Sequence, residues 1–192
     1  AGDIATITSI SAIKNQKHIS GSVKISLKRS QVLLVTGPNG SGKTTFLKNL
    51  AAGRGTGITL NKEALIGYHA QDFSALDEKK IVYQALTEVA KGGTEERLRG
   101  VAAQFLFTDD LIRNHIGSLS EGQKGLLSFA RFVLQAPNLL ILDEPTNHIN
   151  FRHLPVIAKA LEEYQGALVL VSHMADFVAQ IKIDETIDLG SF

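Results

Sequence analysis

The sequence predicts an α/β fold, a mostly parallel sheet flanked by helices, and two observations predict it. Short apolar runs at residues 32–35, 139–142 and 167–171 are fully hydrophobic, as strands buried on both faces must be. Segments with helical spacing separate them, which is the alternation that gives parallel sheets. The first of these runs leads straight into a glycine-rich loop, Gly37 to Thr44, and then into a helix.

In chain order, the β-branched stretch 4–13 reads as a strand. Ser22 to Lys28 alternates strictly, with Val23, Ile25 and Leu27 on one face, and reads as a half-exposed antiparallel strand. Gln31 to Thr36 is the buried strand before the loop. Phe46, Leu47, Leu50 and Ala51 share a helical face, with Gly53 as the stop. Gly53 to Gly57 is a turn, and Leu65 to Tyr68 a short strand. Ile81, Val82, Ala85, Leu86 and Val89 form one apolar stripe; Leu98, Val101, Ala102 and Phe105 form a second. A third short helix is expected over Asp110 to Ile116, and a long one over Leu119 to Ala136. Ser120 with Gln123 three positions later matches a capping box at its start. Asn138 to Leu142 is an apolar strand ending in Asp143-Glu144-Pro145. A helix through Leu154, Ile157, Ala158 and Leu161 follows, then a strand Ala167–Val171 ending at Ser172-His173, and a last strand Glu185–Leu189.

The 192 residues fit a single domain with a core of its own. A net charge of +1 gives no global field that would draw DNA or an anionic membrane, and no DNA partner is expected. The absence of cysteine excludes disulfides and thiolate metal sites. No apolar run approaches the ~20 residues of a membrane span, so a cytoplasmic protein is expected.

The loop carries the chemistry. Its glycines let backbone N–H groups converge on an anion, and the helix N-terminus adds partial positive charge. Asn39, Gly40, Ser41, Gly42, Lys43, Thr44 and Thr45 form the expected phosphate cradle, with Lys43 reaching the outer phosphates and the Thr44 hydroxyl available to Mg2+. Asp143 ends a buried strand, where ligands of open α/β sheets gather, and is the expected metal partner of Thr44. In an extended chain the side chain of Glu144 diverges from that of Asp143, and Glu144 is the residue expected to polarise an attacking water.

Gly37–Thr44, Gln71, Leu119-Ser120-Glu121-Gly122-Gln123, Asp143-Glu144 and His173 fall in the order of an ABC-type ATPase domain. They resemble its Walker A loop, Q-loop, signature, Walker B end and switch histidine. Within that superfamily the chain is most similar to the ABC-F proteins, on Glu144-Pro145-Thr146-Asn147-His148, on Pro137 to Leu142, and on Gln104 to Phe107. The resemblance implies a P-loop NTPase core with an antiparallel β subdomain at the N-terminus and a small helical lobe. It gives one domain over 1–192, with 1–76 and 118–192 as core and 77–117 as lobe. It implies ATP and Mg2+ as ligands, with Thr44, Gln71 and Asp143 on the metal. Ser120, Gly122 and Gln123 of one domain close on the nucleotide of a second ABC domain, in a tandem chain or a homodimer. His173 contacts the γ-phosphate, and Gln71 binds metal or water. A ribosome or RNA partner in translation or antibiotic resistance follows from ABC-F. The alternatives are the ATP-binding subunit of a membrane transporter and a non-catalytic nucleotide-gated clamp. The compact interval from Gln71 to Leu119 has no room for the arm of a first ABC-F domain and so resembles a second one.

Three positions depart from the pattern. Glu121 replaces a glycine and is expected to point outward; Asn150 replaces an aspartate. Residues 1–45 hold no Phe, Tyr or Trp for an adenine, which leaves the weakly stacking His18 nearest that place and predicts similar affinities for ATP and GTP. His69, His115 and His153 read as packing or surface residues, and no role for His148 follows from the sequence.

Overall fold

A computed structural model describes residues 2–14, 16–70, 73–90 and 92–192. The chain divides into two compact units: Ala1–His69 with Pro137–Glu144 and Gln165–Phe192, and Ala70–Ala136 with Pro145–Tyr164.

The first unit holds two sheets. Strand β1 (Ala5–Lys14) turns through Gln16, whose φ is 62°, into β2 (Lys17–Leu27), and the two pair antiparallel. Strand β2 therefore begins five residues before the alternating stretch, because pairing with β1 holds it extended. A third strand, β4 (Ile58–Leu60), pairs antiparallel with the start of β1. It is too short to show a periodicity in the sequence. The second sheet has five parallel strands in the order β5-β6-β7-β3-β8. These are β3 (Val32–Thr36), β5 (Ile66–His69), β6 (Leu139–Asp143), β7 (Ala167–Val171) and β8 (Glu185–Asp188). Every residue of β6 and β7 is buried, as their unbroken apolar runs require.

Helix α1 (Lys43–Ala51) follows β3 and buries Phe46, Leu47 and Leu50 against β1, β5 and β6. One continuous core joins these residues to Ile7, Ile10, Ile25, Leu33, Ile141 and Val169. Because α1 is rooted in this core, its N-terminus has a fixed place beside the sheet edge.

The second unit is helical: α2 (Val82–Val89), α3 (Glu95–Gln104), α4 (Glu121–Gln135) and α5 (Leu154–Glu162). Helices α2 and α3 pack on α4, where the rings of Phe105 and Phe129 stack at 6.5 Å. The short helix expected over Asp110–Ile116 is instead two 3-10 turns, Leu111–Arg113 and Ile116–Ser118. Asn114 is extended between them, and His115 forms a β-bridge with Ile81 that interrupts the helix. A further four-residue helix, α6 (Ala175–Val178), lies in the first unit between β7 and β8. No helix among the described residues is long and apolar enough to cross a membrane.

Candidate functional site

The strand order sets the geometry of the site. Strands β3, β7 and β6 are neighbours and parallel, so their C-terminal ends emerge at one sheet edge. Those ends carry the glycine-rich loop, Ser172-His173, and Asp143-Glu144 respectively. Ligands of open parallel sheets bind at such an edge.

The loop is built by left-handed backbone. Gly40 has φ 77°, and Gly42, the N-cap of α1, has φ 97°, a conformation that side chains resist. No side chain caps α1, so the first N–H groups of the helix have no partner within it. Lys43 Nζ donates to the carbonyls of Gly37 at 2.7 Å and Pro38 at 3.0 Å, folding the ammonium back into the loop. The Ile13 N–H donates to Ser41 O at 2.9 Å and ties the loop to the β1–β2 hairpin. Ser41 is buried, and among the described residues its hydroxyl has no hydrogen-bond partner. A buried, unsatisfied hydroxyl just before a helix whose first N–H groups carry no side-chain cap suits an anionic oxygen. Thr44 and Thr45 are exposed at the mouth.

Asp143 is 2% exposed. Burial raises its pKa, while a hydrogen bond with Thr44 and the charges of Lys48 and Lys43 oppose the rise. The Thr44 hydroxyl and the Asp143 carboxylate are hard oxygen donors held within reach of each other, a set that fits Mg2+. Among the described residues no cluster of three or more acidic or histidine side chains could hold a metal alone.

Glu144 departs from the extended chain expected of it. Its φ is 48°, so a left-handed turn, rather than strand alternation, separates its side chain from that of Asp143. The Glu144 N–H donates to Val171 O at 2.9 Å and pins that turn to β7. Its carboxylate meets His173 twice: Oε2 accepts from the His173 N–H at 3.2 Å, and Oε1 lies 3.2 Å from Nε2, within ion-pair range though poorly aligned for a hydrogen bond. The Glu144 side chain is 9% exposed and the His173 ring 59% exposed, so the pair faces solvent through the histidine. Gln71 lies outside the described residues.

The second unit carries the other candidate residues. Ser120 caps α4 by accepting from the Gln123 N–H at 3.2 Å, and Gln123 Oε1 accepts from the Ser120 N–H at 2.9 Å, the reciprocal capping box the sequence predicts. Glu121 is exposed, yet it does not point freely outward: its Oε2 lies 2.9 Å from Nδ1 of His148. Asn150 accepts from the Arg152 N–H at 3.0 Å, so the neutral amide supplies the cap an aspartate would and removes only the charge. Residues 120–123, His148 and Asn150 help line a cavity of about 640 Å³.

One contact escapes a reading of the sequence, while one histidine read as packing or surface proves to be a packing residue. The contact of His148 with Glu121 depends on a turn that no local pattern announces. His69, at the end of β5, is 4% exposed, and burial lowers its pKa to about 4. His18 is exposed and sits opposite Ile13, the residue whose N–H holds Ser41 of the loop.

A parallel sheet with a left-handed glycine loop at one strand end and acidic residues at another defines a nucleoside triphosphate-binding domain. The model of the ABC transporter family matches residues 21–147, and the chain belongs to that family as an ABC-type ATPase domain. ABC transporter F family member 5 of Arabidopsis thaliana is 30% identical over 173 residues, 86% of this chain and 25% of that protein. The ATP-binding protein Uup of Caulobacter vibrioides is 36% identical over 164 residues, 81% of this chain and 27% of that protein. The chain spans about a quarter of the length of these curated relatives. Among solved structures, an ATP-binding subunit of an ABC transporter shares the fold with a TM-score of 0.79 at 17% identity, covering 97% of this chain and 87% of that one.

Proposed function

We propose that the chain binds and hydrolyses ATP as one half of a head-to-tail pair of ABC domains. The observation that carries this is the convergence, on one edge of one sheet, of the phosphate loop, Asp143, Glu144 and His173. Asn39 to Thr45 hold the triphosphate through backbone N–H groups, and Lys43 exchanges its two loop carbonyls for phosphate oxygens. Thr44, Asp143 and Gln71 hold Mg2+, which when bound neutralises charge on the β- and γ-phosphates. Glu144 orients the attacking water and accepts its proton; His173 stabilises charge on the γ-phosphate. Ser120, Gly122 and Gln123 close over the nucleotide of the second domain, where a further helix N-terminus excludes bulk water. Residues 77–117 act as the helical lobe, coupled to the nucleotide through Gln71.

A cytoplasmic protein that acts on the ribosome, as the second domain of a tandem chain, is the reading favoured by the ABC-F resemblance of the Glu144 to His148 run, and an ABC transporter F family member is among the relatives. The distribution of charge agrees. From Ile4 to Lys62 the sequence has nine lysines and arginines and no acidic residue, although the whole chain is nearly neutral. Lys17, His18, Lys24, Lys28 and Arg29 are exposed in and just after β2, a surface suited to phosphate backbone. Sedimentation of the native protein in ATP tests this. Salt-sensitive comigration with ribosomes supports the reading; comigration with a membrane subunit instead supports the transporter alternative. Binding of ATP with no turnover by the paired domains reduces the chain to a nucleotide-gated clamp.

A further inference from the structure

The first turn of α4 contains a contradiction. If it closes over a triphosphate, a carboxylate at Glu121 stabilises the helix and repels the ligand. The structure shows what restrains that charge. The turn at Thr146–Ile149, closed by the Ile149 N–H on Thr146 O at 3.1 Å, brings His148 over the first turn of α4. His148 has φ 71°, unusual for a residue with a side chain, so packing holds it there. Its carbonyl oxygen lies 2.9 Å from where a Cβ on Gly122 would stand. Only glycine permits that approach, and the approach delivers the imidazole to Glu121 Oε2 at 2.9 Å.

We infer that His148 is a positioning residue that clamps the Glu121 carboxylate to the flank of α4 and so keeps the helix N-terminus open to a phosphate. This rests on the paired-domain reading above. The Ser120–Gln123 capping box already occupies the N–H of Gln123, which leaves the N–H groups of Glu121 and Gly122 as the available donors. A carboxylate free to swing across them competes with the incoming oxygen for both. Gly122 thus has two roles: it gives the phosphate access to the backbone and leaves room for His148.

The test is a double-mutant cycle in the full-length native protein, reading kcat and KM for ATP hydrolysis. His148→Ala is expected to raise KM about five-fold, near the upper range for a partly exposed contact to a carboxylate, with a smaller change in kcat. In a Glu121→Gln background the same substitution is expected to change KM by less than about two-fold, because no charge remains to restrain. The defect of His148→Ala in the Glu121 background shrinks as salt is added, which a purely structural defect does not do. Should His148→Ala fail to fold, His148→Asn removes the imidazole while tolerating the left-handed backbone. An equal defect in both backgrounds, or none in either, overturns the inference. Absence of wild-type turnover removes the ATPase reading itself and this inference with it.

Discussion

His69 offers a direct test of how the sheet is packed. It sits at the end of β5, paired in register with Leu142, and is 4% exposed. Burial favours the neutral ring and lowers its pKa from 6.5 to about 4. The folded value lies below the unfolded one, so between these pH values the unfolded chain binds the extra proton. Stability is therefore complete above about pH 6.5 and falls as pH drops toward 4. At about 1.4 kcal/mol per pH unit, this one residue accounts for about 3 kcal/mol across the window, with about 2 kcal/mol already lost at pH 5. The assay is urea unfolding of the wild type and His69→Leu from pH 4.5 to 7.5. Other groups titrate in both proteins, so the difference between the two curves isolates His69. That difference should change by about 2 kcal/mol between pH 7.5 and 5, in favour of His69→Leu at the acid end. Parallel curves would show that the ring is reached by water or shares its proton, and the packing argument would be wrong.

Other predictions are smaller or simpler. Gly122→Ala places a methyl 2.9 Å from the His148 carbonyl oxygen, and should lower stability by about 1–3 kcal/mol, read by thermal unfolding. Ser120→Ala removes the oxygen that caps Gln123 and should cost about 1 kcal/mol; an unchanged melting temperature would refute the capping role. Removing Mg2+ with a chelator should abolish ATP turnover, since Thr44 and Asp143 bring no positive charge of their own to the triphosphate and are placed to hold the cation that would. ATP and GTP should bind with similar affinity, judged by competition, because no Phe, Tyr or Trp precedes the loop to stack the base and the imidazole of His18 stacks only weakly.

Much of this fold is legible in the sequence because the signals are local. The runs at 139–142 and 167–171 are apolar on every position, and only a strand covered on both faces uses them so. The stripe through Leu98, Val101 and Ala102 and the Ser120–Gln123 pair announce their helices directly. What the sequence hides depends on partners distant along the chain. Strand β4 is three residues long and exists because Ala5 to Ile7 pair with it. The break between Leu111–Arg113 and Ile116–Ser118 follows from a bridge between Ile81 and His115. At the site, the glycine loop and Asp143 are visible from spacing, since a phosphate cradle needs those residue types in that order. The left-handed turns at Glu144 and His148 are not, because residues with side chains there run against local preference. Both turns aim a side chain of the candidate site: one brings Glu144 to His173, the other His148 to Glu121.

The central claim concerns Glu144, and single-turnover hydrolysis by Glu144→Gln with its paired domain tests it most directly. The amide keeps the shape but cannot take a proton from water. ATP binding should persist while the cleavage rate falls about 10²–10⁴-fold, the span expected for a lost general base. Cleavage at the wild-type rate would contradict the account, because some other group would then activate the water.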